Sequence, residues 1–162
     1  MQTAYFAGGC FWCVEAIFQR VNGVLSLANG YCNGKTKNPT YQEICAGDSG
    51  HAEVLKIEFD ETQISYTELL EIFVVVHDPT SLNQQGADIG VQYRSAVFYT
   101  DSKQRELAQS LIDSIKGAVT EISPLDVFYV AEDYHQNYFN DNQNQPYCQM
   151  VILPKINKYL NK

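Results

Sequence analysis

The chain has 162 residues, 45% of them hydrophobic, which predicts one catalytic domain over 1–162 with its own apolar core. Asp and Glu number 19 against 11 Lys and Arg, and the net charge of −8 argues against nucleic acid and anionic membranes as partners. We find neither a signal peptide nor an apolar run long enough to span a bilayer, and we therefore expect a cytoplasmic protein.

Hydrophobic periodicity predicts strands and helices that alternate along the chain. Predicted strands cover 2–7, 24–31 with a break at Asn29-Gly30, 52–59 and 94–100, with a last strand region at 122 and 125–130. Predicted helices cover 10–20 and 41–46, a third helix lies behind 65–68 with inward apolar residues from 69 to 76, and 101–104 start a fourth. A Ser-Tyr-Thr-Glu capping box at 65–68 marks the start of the third helix.

Polar segments separate these elements. The stretch 32–39 is rich in Gly, Asn and Lys and is predicted to be a loop. Residues 78–92 form a longer polar segment, and a structureless loop of that length in a small domain is usually functional. From Ala131 the chain becomes polar and aromatic, contains Pro146 and Pro154, and is predicted to be coil with a short terminal helix.

The order of these elements is close to β-α-β-β-α-β. It predicts an α+β fold, a two-layer α/β sandwich with a ferredoxin-like core and a long coil-rich C-terminal segment. A doubly wound α/β sheet is the alternative.

The segment Gly-Gly-Cys-Phe-Trp-Cys at 8–13 follows the first strand and opens the first helix. A cysteine at that position lies beside unpaired backbone N–H groups and the positive end of the helix dipole. This environment favours the thiolate, the nucleophilic form, so Cys10 is predicted to be reactive. Phe11 and Trp12 follow at once and are predicted to wall a small apolar pocket.

The cysteines allow other interpretations. Their number, five, is odd and argues against a framework of structural disulfides. A Cys-x-x-Cys that opens a helix, here Cys10 and Cys13, is typical of thioredoxin-like proteins, although Phe-Trp is bulky between the two cysteines. A structural zinc site needs about four Cys or His ligands, and the chain offers no second spaced pair. A non-catalytic peptide- or metal-binding domain is a third hypothesis.

Further motifs carry side chains suited to acid catalysis and redox exchange. Glu53 is either an ordinary charged rim residue or, if buried near aromatics, a general acid with a raised pKa. Tyr41 and Tyr93 carry phenols that can hold a polarised oxygen, although most of the eleven tyrosines are expected simply to pack. Cys148, in predicted coil, is either a spare thiol or a resolving thiol that attacks an oxidised Cys10.

These motifs occur together, in this order, in one family. Over nearly its whole length the chain closely resembles the A-type methionine sulfoxide reductases, which are peptide-methionine (S)-S-oxide reductases. Gly-Cys-Phe-Trp at 9–12 combined with Gly-His-Ala-Glu at 50–53 is highly specific. Other matching motifs lie at 30–31, 38–41, 86–88, 93–95, 134–136 and 146–148.

The resemblance implies a mechanism. Cys10 would attack the sulfur of a methionine sulfoxide, and Glu53 would protonate the oxygen that must leave. Tyr41 and Tyr93 would hydrogen-bond that oxygen through the transition state. Release of methionine would leave Cys10 as a sulfenic acid.

The same resemblance implies the substrate contacts and the partners. Phe11 and Trp12 would enclose the S-methyl group, and Asp88 would orient the substrate backbone or a bound water. No metal and no cofactor are implied, and thioredoxin or another thiol would be the reductant. We expect oxidised proteins or free methionine sulfoxide as substrates, and a monomeric enzyme.

Two cysteines compete for the resolving role. Cys148 matches a position that holds the resolving thiol in many family members, and a flexible coil satisfies disulfide geometry with less strain. Cys13 stands where glycine is common in the family, one helical turn from Cys10, and is the alternative. Cys32 and Cys45 receive no role. The rival function is a general thiol–disulfide oxidoreductase that uses Cys10 and Cys13.

Overall fold

A six-stranded sheet organises the computed structural model, which describes residues 1–47 and 49–160. The strand order is β7-β6-β1-β3-β2-β8, and a separate hairpin pairs β4 with β5. The strands are β1 (Gln2–Gly8), β2 (Val24–Cys32), β3 (Ala52–Phe59), β4 (Gln84–Gln85), β5 (Asp88–Ile89), β6 (Ser95–Tyr99), β7 (Glu121–Pro124) and β8 (Phe128–Val130).

Helices connect the strands and cover the sheet. They are α1 (Phe11–Phe18), α2 (Tyr41–Cys45), α3 (Tyr66–Val76), α4 (Ser102–Asp113), α5 (Tyr138–Asp141) and α6 (Leu153–Leu160). Capping boxes at Thr40 and Ser65 start α2 and α3, and the Asp101 side chain caps α4. Of the described helices, none combines the length and apolarity that crossing a membrane would take.

The central strands pair antiparallel, whereas β7 lies parallel to β6. The main core packs Phe6, Phe18, Phe59 and Phe73 with the aliphatic residues of β1, β3 and α3. A second apolar cluster packs α1 against the helices at the C-terminal end, and it contains Cys10, Cys13 and Cys148. The first helix therefore lies between the main core and the C-terminal segment.

The prediction of a mixed α/β fold is confirmed, and several local predictions need correction. Strand β2 runs through Asn29 and Gly30 without the predicted break. Gly30 is needed there for a different reason: a Cβ at this position would collide with the Phe128 ring of the neighbouring strand. The predicted strand region at 122–130 is two strands, β7 beside β6 and β8 beside β2, at opposite edges of the sheet.

The segment after Ala131 is more helical than predicted. One 3₁₀ turn (Asp133–His135), α5, a π-helical turn (Cys148–Ile152) and α6 occupy much of it. Pro146 and Pro154 led to the prediction of coil, but Pro146 lies at the first position of the helical run, where the missing N–H is not needed. Pro154, the second residue of α6, follows just after the π-helical turn. The buried side chains of Ile152 and Ile156 then hold this helix against α1.

Candidate active site

The chain turns sharply between β1 and α1 and places Cys10 at the start of the helix. Gly9 has a φ of 88°, a conformation that favours glycine, and a Cβ there would lie 2.7 Å from the Gln85 side chain. Cys10 is the N-cap residue of α1. Its side chain is 7% exposed, so the sulfur lies at the edge of the protein interior rather than free in solvent.

Glu53 comes from the neighbouring strand β3 to the same point. Its Oε1 accepts a hydrogen bond from the backbone N–H of Phe11 at 3.1 Å, one of the N–H groups that the start of a helix leaves unpaired. The side chain is 2% exposed. Burial raises the pKa of Glu53 to about 8. The hydrogen bond from the Phe11 N–H lowers this pKa, whereas the charges of Asp88 and Cys13 raise it further. The carboxyl group is therefore protonated at neutral pH, as an acid catalyst requires.

Cys10 and Cys13 lie one helical turn apart, joined by the Cys13 N–H to Cys10 O hydrogen bond at 3.1 Å, and both pack in the apolar cluster that contains Cys148. The sequence predicts a thiolate at Cys10, whereas in the free protein burial is the main effect and raises the pKa of this thiol. The neighbouring Cys10 side chain lowers the pKa of Cys13 to about 7. The two thiols therefore influence each other's protonation.

Tyr41 and Tyr93 both lie close enough to Glu53 for its charge, when ionised, to act on their hydroxyl groups. Burial is the main cause that raises the pKa of each phenol, and the charge of Glu53 adds to it in both cases. The backbone N–H of Tyr41 donates to Glu132 Oε2 at 3.0 Å, and Tyr31 donates to the other oxygen of the same carboxylate at 3.1 Å. Glu132 therefore fixes the start of α2, and with it Tyr41. Both phenols remain protonated and able to donate.

Trp12 is fixed in the site by three aromatic neighbours. Its indole N–H donates to His135 Nδ1 at 3.0 Å. Its ring stacks on Tyr138, with 3.7 Å between the centroids and 8° between the planes, and meets the Tyr147 ring edge-on at 5.8 Å. Phe11 is 1% exposed, packed against Tyr31. Trp12 is therefore a half-exposed wall of the site, and the buried Phe11 ring packs beside it, with 6.5 Å between the ring centroids.

Tyr147 joins the C-terminal segment to the hairpin of β4 and β5. Its hydroxyl donates to Asp88 Oδ2 at 2.6 Å and lies 3.7 Å from Cys13 Sγ. The adjacent Cys148 is fully buried in the cluster that contains Cys10 and Cys13. It begins a π-helical turn, so the predicted flexible coil around this thiol is wrong.

The structure thus brings the predicted site residues together at the start of α1. Four supporting residues received no role from the sequence: Glu132, His135, Tyr138 and Tyr147. His135 and Tyr147 lie in the matching motifs at 134–136 and 146–148, whereas Glu132 and Tyr138 had no signal beyond the density of polar and aromatic residues after Ala131. Their contacts are with residues about a hundred positions away in the chain, which no local pattern predicts. Across residues 1–47 and 49–160, no three His, Cys, Asp or Glu side chains converge as a metal-binding group.

Comparisons with known proteins agree on one family. The model of a family described as peptide methionine sulfoxide reductase matches residues 2–162. A peptide methionine sulfoxide reductase MsrA of Vesicomyosocius okutanii is 61% identical over 163 residues, covering 100% of both chains. Another, of Nautilia profundicola, is 51% identical and covers 99% of this chain and 95% of its own.

Solved structures are similar as well. Mxr1 from Saccharomyces cerevisiae in its reduced form superposes with a TM-score of 0.83 at 32% identity, covering 91% of this chain and 88% of that one. Mxr1 in complex with Trx2 gives a TM-score of 0.58 at 22% identity, over 85% and 84% of the two chains, which is a likeness of fold alone.

Proposed function

Because the chain belongs to the peptide methionine sulfoxide reductase family, we propose that Cys10 attacks methionine-S-sulfoxide while Glu53 protonates its oxygen. The chain is a peptide-methionine (S)-S-oxide reductase that converts the sulfoxide to methionine. One observation carries the assignment of residues. The protonated carboxyl of Glu53 is hydrogen-bonded to the backbone N–H of Phe11, next to the Cys10 thiol, with both side chains almost fully buried.

The first step transfers the oxygen from the substrate to the enzyme. The sulfur of Cys10 attacks the sulfoxide sulfur, and the proton of Glu53 moves to the sulfoxide oxygen. The protonated oxygen then moves as a hydroxyl from the methionine sulfur to the Cys10 sulfur, while its old S–O bond and the bond between the two sulfurs break. Methionine leaves with its sulfur reduced by two electrons, and Cys10 becomes a sulfenic acid, oxidised by two electrons. The Cys10 thiol gives up its own proton to solvent. Solvent then reprotonates Glu53.

The aromatic residues hold the substrate for this step. Tyr41 and Tyr93 donate hydrogen bonds to the sulfoxide oxygen as negative charge develops on it. Trp12, held by His135 and Tyr138, faces the S-methyl group, where contact between sulfur and an aromatic ring is favourable, and Phe11 supports it. Asp88 orients the backbone of the substrate or a bound water at the other end of the site.

Removal of the two phenols tests this arrangement. We expect Tyr41→Phe and Tyr93→Phe each to lower kcat by about 10-fold, the cost of one hydrogen bond to a charged group, because the ring stays and only the donor is lost. The double variant is expected to lose about 10²-fold or more. The measurement is kcat and KM for N-acetyl-methionine-S-sulfoxide with dithiothreitol. Tyr129→Phe is the control, and a fall confined to KM would contradict the role in the transition state.

The oxidised enzyme is reset in two thiol steps. The position of Cys13, one helical turn from Cys10 in the same apolar cluster, supports it as the first thiol to attack the Cys10 sulfenic acid, which forms a disulfide and releases water. Cys148, buried in the same cluster, then attacks Cys13 and frees Cys10. Thioredoxin reduces the resulting disulfide, as the complex of the yeast relative Mxr1 with Trx2 suggests for that protein. The reverse order, with Cys148 attacking Cys10 directly, is the alternative, because joining Cys10 to Cys13 requires the first helical turn to loosen.

The order of disulfides is open to direct measurement. After one equivalent of methionine-S-sulfoxide, rapid acid quenching and peptide mapping are expected to show a Cys10–Cys13 disulfide first and a Cys13–Cys148 disulfide later. The Cys148→Ser variant is expected to stop at Cys10–Cys13, and Cys45→Ser serves as the matched control. A Cys10–Cys148 disulfide as the earliest product in the wild type would contradict this order and favour Cys148 as the direct resolver.

A general thiol–disulfide oxidoreductase is not favoured. Exchange between thiols and disulfides has no oxygen leaving group to protonate. A buried, protonated glutamate beside the nucleophile would therefore serve no step of that reaction. We further propose that 1–162 is one monomeric, cytoplasmic catalytic domain without a cofactor. Its ferredoxin-like core would be the central strand order β6-β1-β3-β2 with α1 and α3 as the two connecting helices.

A further inference from the structure

A groove of about 520 Å³ runs along the C-terminal helix beside the proposed active site. Tyr147 and Asp88, which meet beside Cys13, line part of it. Gln85 and His77, whose side chains lie against Gly9 and Gly8 just before Cys10, also line it. The groove therefore adjoins the site through Tyr147 and Asp88, and a longer substrate can extend into it.

One wall of the groove is a single helical stripe. Tyr147, Val151, Lys155 and Lys158 line the groove and follow each other at spacings of four, four and three residues, the repeat of one face of a helix. The stripe is apolar near Tyr147 and cationic farther away. Lys155 and Lys158 thus stand at increasing distance from the reacting sulfur on the same face.

The opposite wall is apolar and acidic, and its carboxylates already accept hydrogen bonds from neighbouring side chains. Val75, 41% exposed, and Val76 supply apolar surface at the end of α3. The carboxylate of Asp78 accepts two hydrogen bonds from Thr80, and that of Asp88 accepts one from Tyr147. Neither Lys155 nor Lys158 forms an ion pair with any carboxylate in the part of the chain that the structure describes. The ammonium groups are therefore open to a partner from outside.

We propose that this groove binds the segment of a protein substrate that flanks the methionine sulfoxide, and that it selects acidic side chains there. The proposal rests on the function proposed above. A chain of net charge −8 repels acidic substrates in general, so two unpaired cations beside the site give local charge complementarity that the rest of the surface lacks. The apolar part of the stripe accepts the intervening side chains.

The geometry sets the position of the acidic residue. Lys155 and Lys158 lie eight and eleven residues beyond Tyr147, or about 12 and 16 Å along a helix. An extended peptide advances about 3.3 Å per residue, so these distances correspond to about three to five residues. The preferred substrate therefore carries Glu or Asp three to five positions from the methionine sulfoxide on one side only, the side that enters the groove.

Peptide kinetics test the proposal. Blocked peptides carry one methionine-S-sulfoxide and either Glu, Ala or Lys at the third to fifth positions, before or after it. With wild-type enzyme and excess dithiothreitol, we expect kcat/KM for the Glu peptides to exceed that for the Lys peptides by about 3- to 10-fold, on one side only, at low salt. The difference is expected to shrink in 0.5 M NaCl because salt screens exposed charges.

Charge variants assign the preference to the groove. Lys158→Glu is expected to reverse the order of Glu and Lys peptides, while kcat/KM for N-acetyl-methionine-S-sulfoxide stays within about twofold. Lys116→Glu, an equal charge change on an exposed residue after α4, is expected to keep the wild-type order. Equal kcat/KM for all wild-type peptides, or an order that Lys158→Glu leaves unchanged, would overturn the proposal. So would a Lys158→Glu variant that raises only the KM for thioredoxin. If the wild-type enzyme shows no activity toward N-acetyl-methionine-S-sulfoxide, the proposed function itself is refuted.

Discussion

Replacing Cys10 with serine is expected to abolish reduction of methionine-S-sulfoxide, free or in peptides, with a loss of roughly 10³-fold or more in kcat/KM with dithiothreitol. The hydroxyl of serine cannot supply the sulfur nucleophile or carry the sulfenic acid that follows. The side chain is almost fully buried, and serine is close to cysteine in size, so the fold should tolerate the change.

The control for this variant is Cys45→Ser, which makes the same chemical change at an exposed position. It is expected to retain activity within about twofold, because serine keeps a hydrogen-bonding group where the Cys45 thiol neighbours the Tyr41 phenol. Thermal unfolding of both variants checks that the fold is intact. Wild-type activity in Cys10→Ser would refute the role of Cys10 as the nucleophile.

Glu53→Gln is expected to lower kcat for sulfoxide reduction by about 10²- to 10⁴-fold, the usual contribution of a general acid. The amide keeps an oxygen that can accept the Phe11 N–H, so the start of α1 stays in place, but it has no proton to give. Glu58→Gln on the same strand, a partly exposed residue beside Lys56, is the matched control and is expected to keep wild-type activity.

The pH dependence of kcat gives a second test of Glu53. Burial raises its pKa from 4.5 to about 8, so the active, protonated form predominates below that pH and is lost as the pH rises through it. Wild-type kcat is therefore expected to fall above about pH 8, although higher pH favours thiolates. Glu53→Gln is expected to lose this alkaline fall. A Glu53→Gln variant with kcat within threefold of wild type, or with an unchanged alkaline limb, would contradict acid catalysis by Glu53.

Local patterns in the sequence predict the first turn of the site well. Two glycines before a cysteine and a run with helical spacing place Cys10 at the start of α1, because that arrangement depends on neighbouring residues only. The capping box at Ser65 is equally local. For Glu53 the sequence left two interpretations open, an exposed rim residue and a buried acid. The alternation of apolar and polar residues in β3 could not decide between them. Burial depends on which other parts of the chain pack over that end of the strand.

The features that sequence analysis missed depend on distant contacts. The Trp12–His135 hydrogen bond joins residues 123 positions apart, and no periodicity predicts it. The helical structure around Cys148 was not predicted because prolines flank it. Only the tertiary contact with α1 decides whether such prolines begin or end a helix. The helix start predicts a thiolate at Cys10, whereas burial raises the pKa of this thiol, and burial depends on the C-terminal segment that packs over α1.

The most direct measurement is a single turnover of the Cys13→Ser/Cys148→Ser double variant with one equivalent of methionine-S-sulfoxide in the presence of dimedone, a trap for sulfenic acids. If the sulfur of Cys10 takes the oxygen, the reaction yields one methionine per protein, and the dimedone adduct maps to Cys10. Methionine formed while Cys10 stays a free thiol, or an adduct on another residue, would contradict this account.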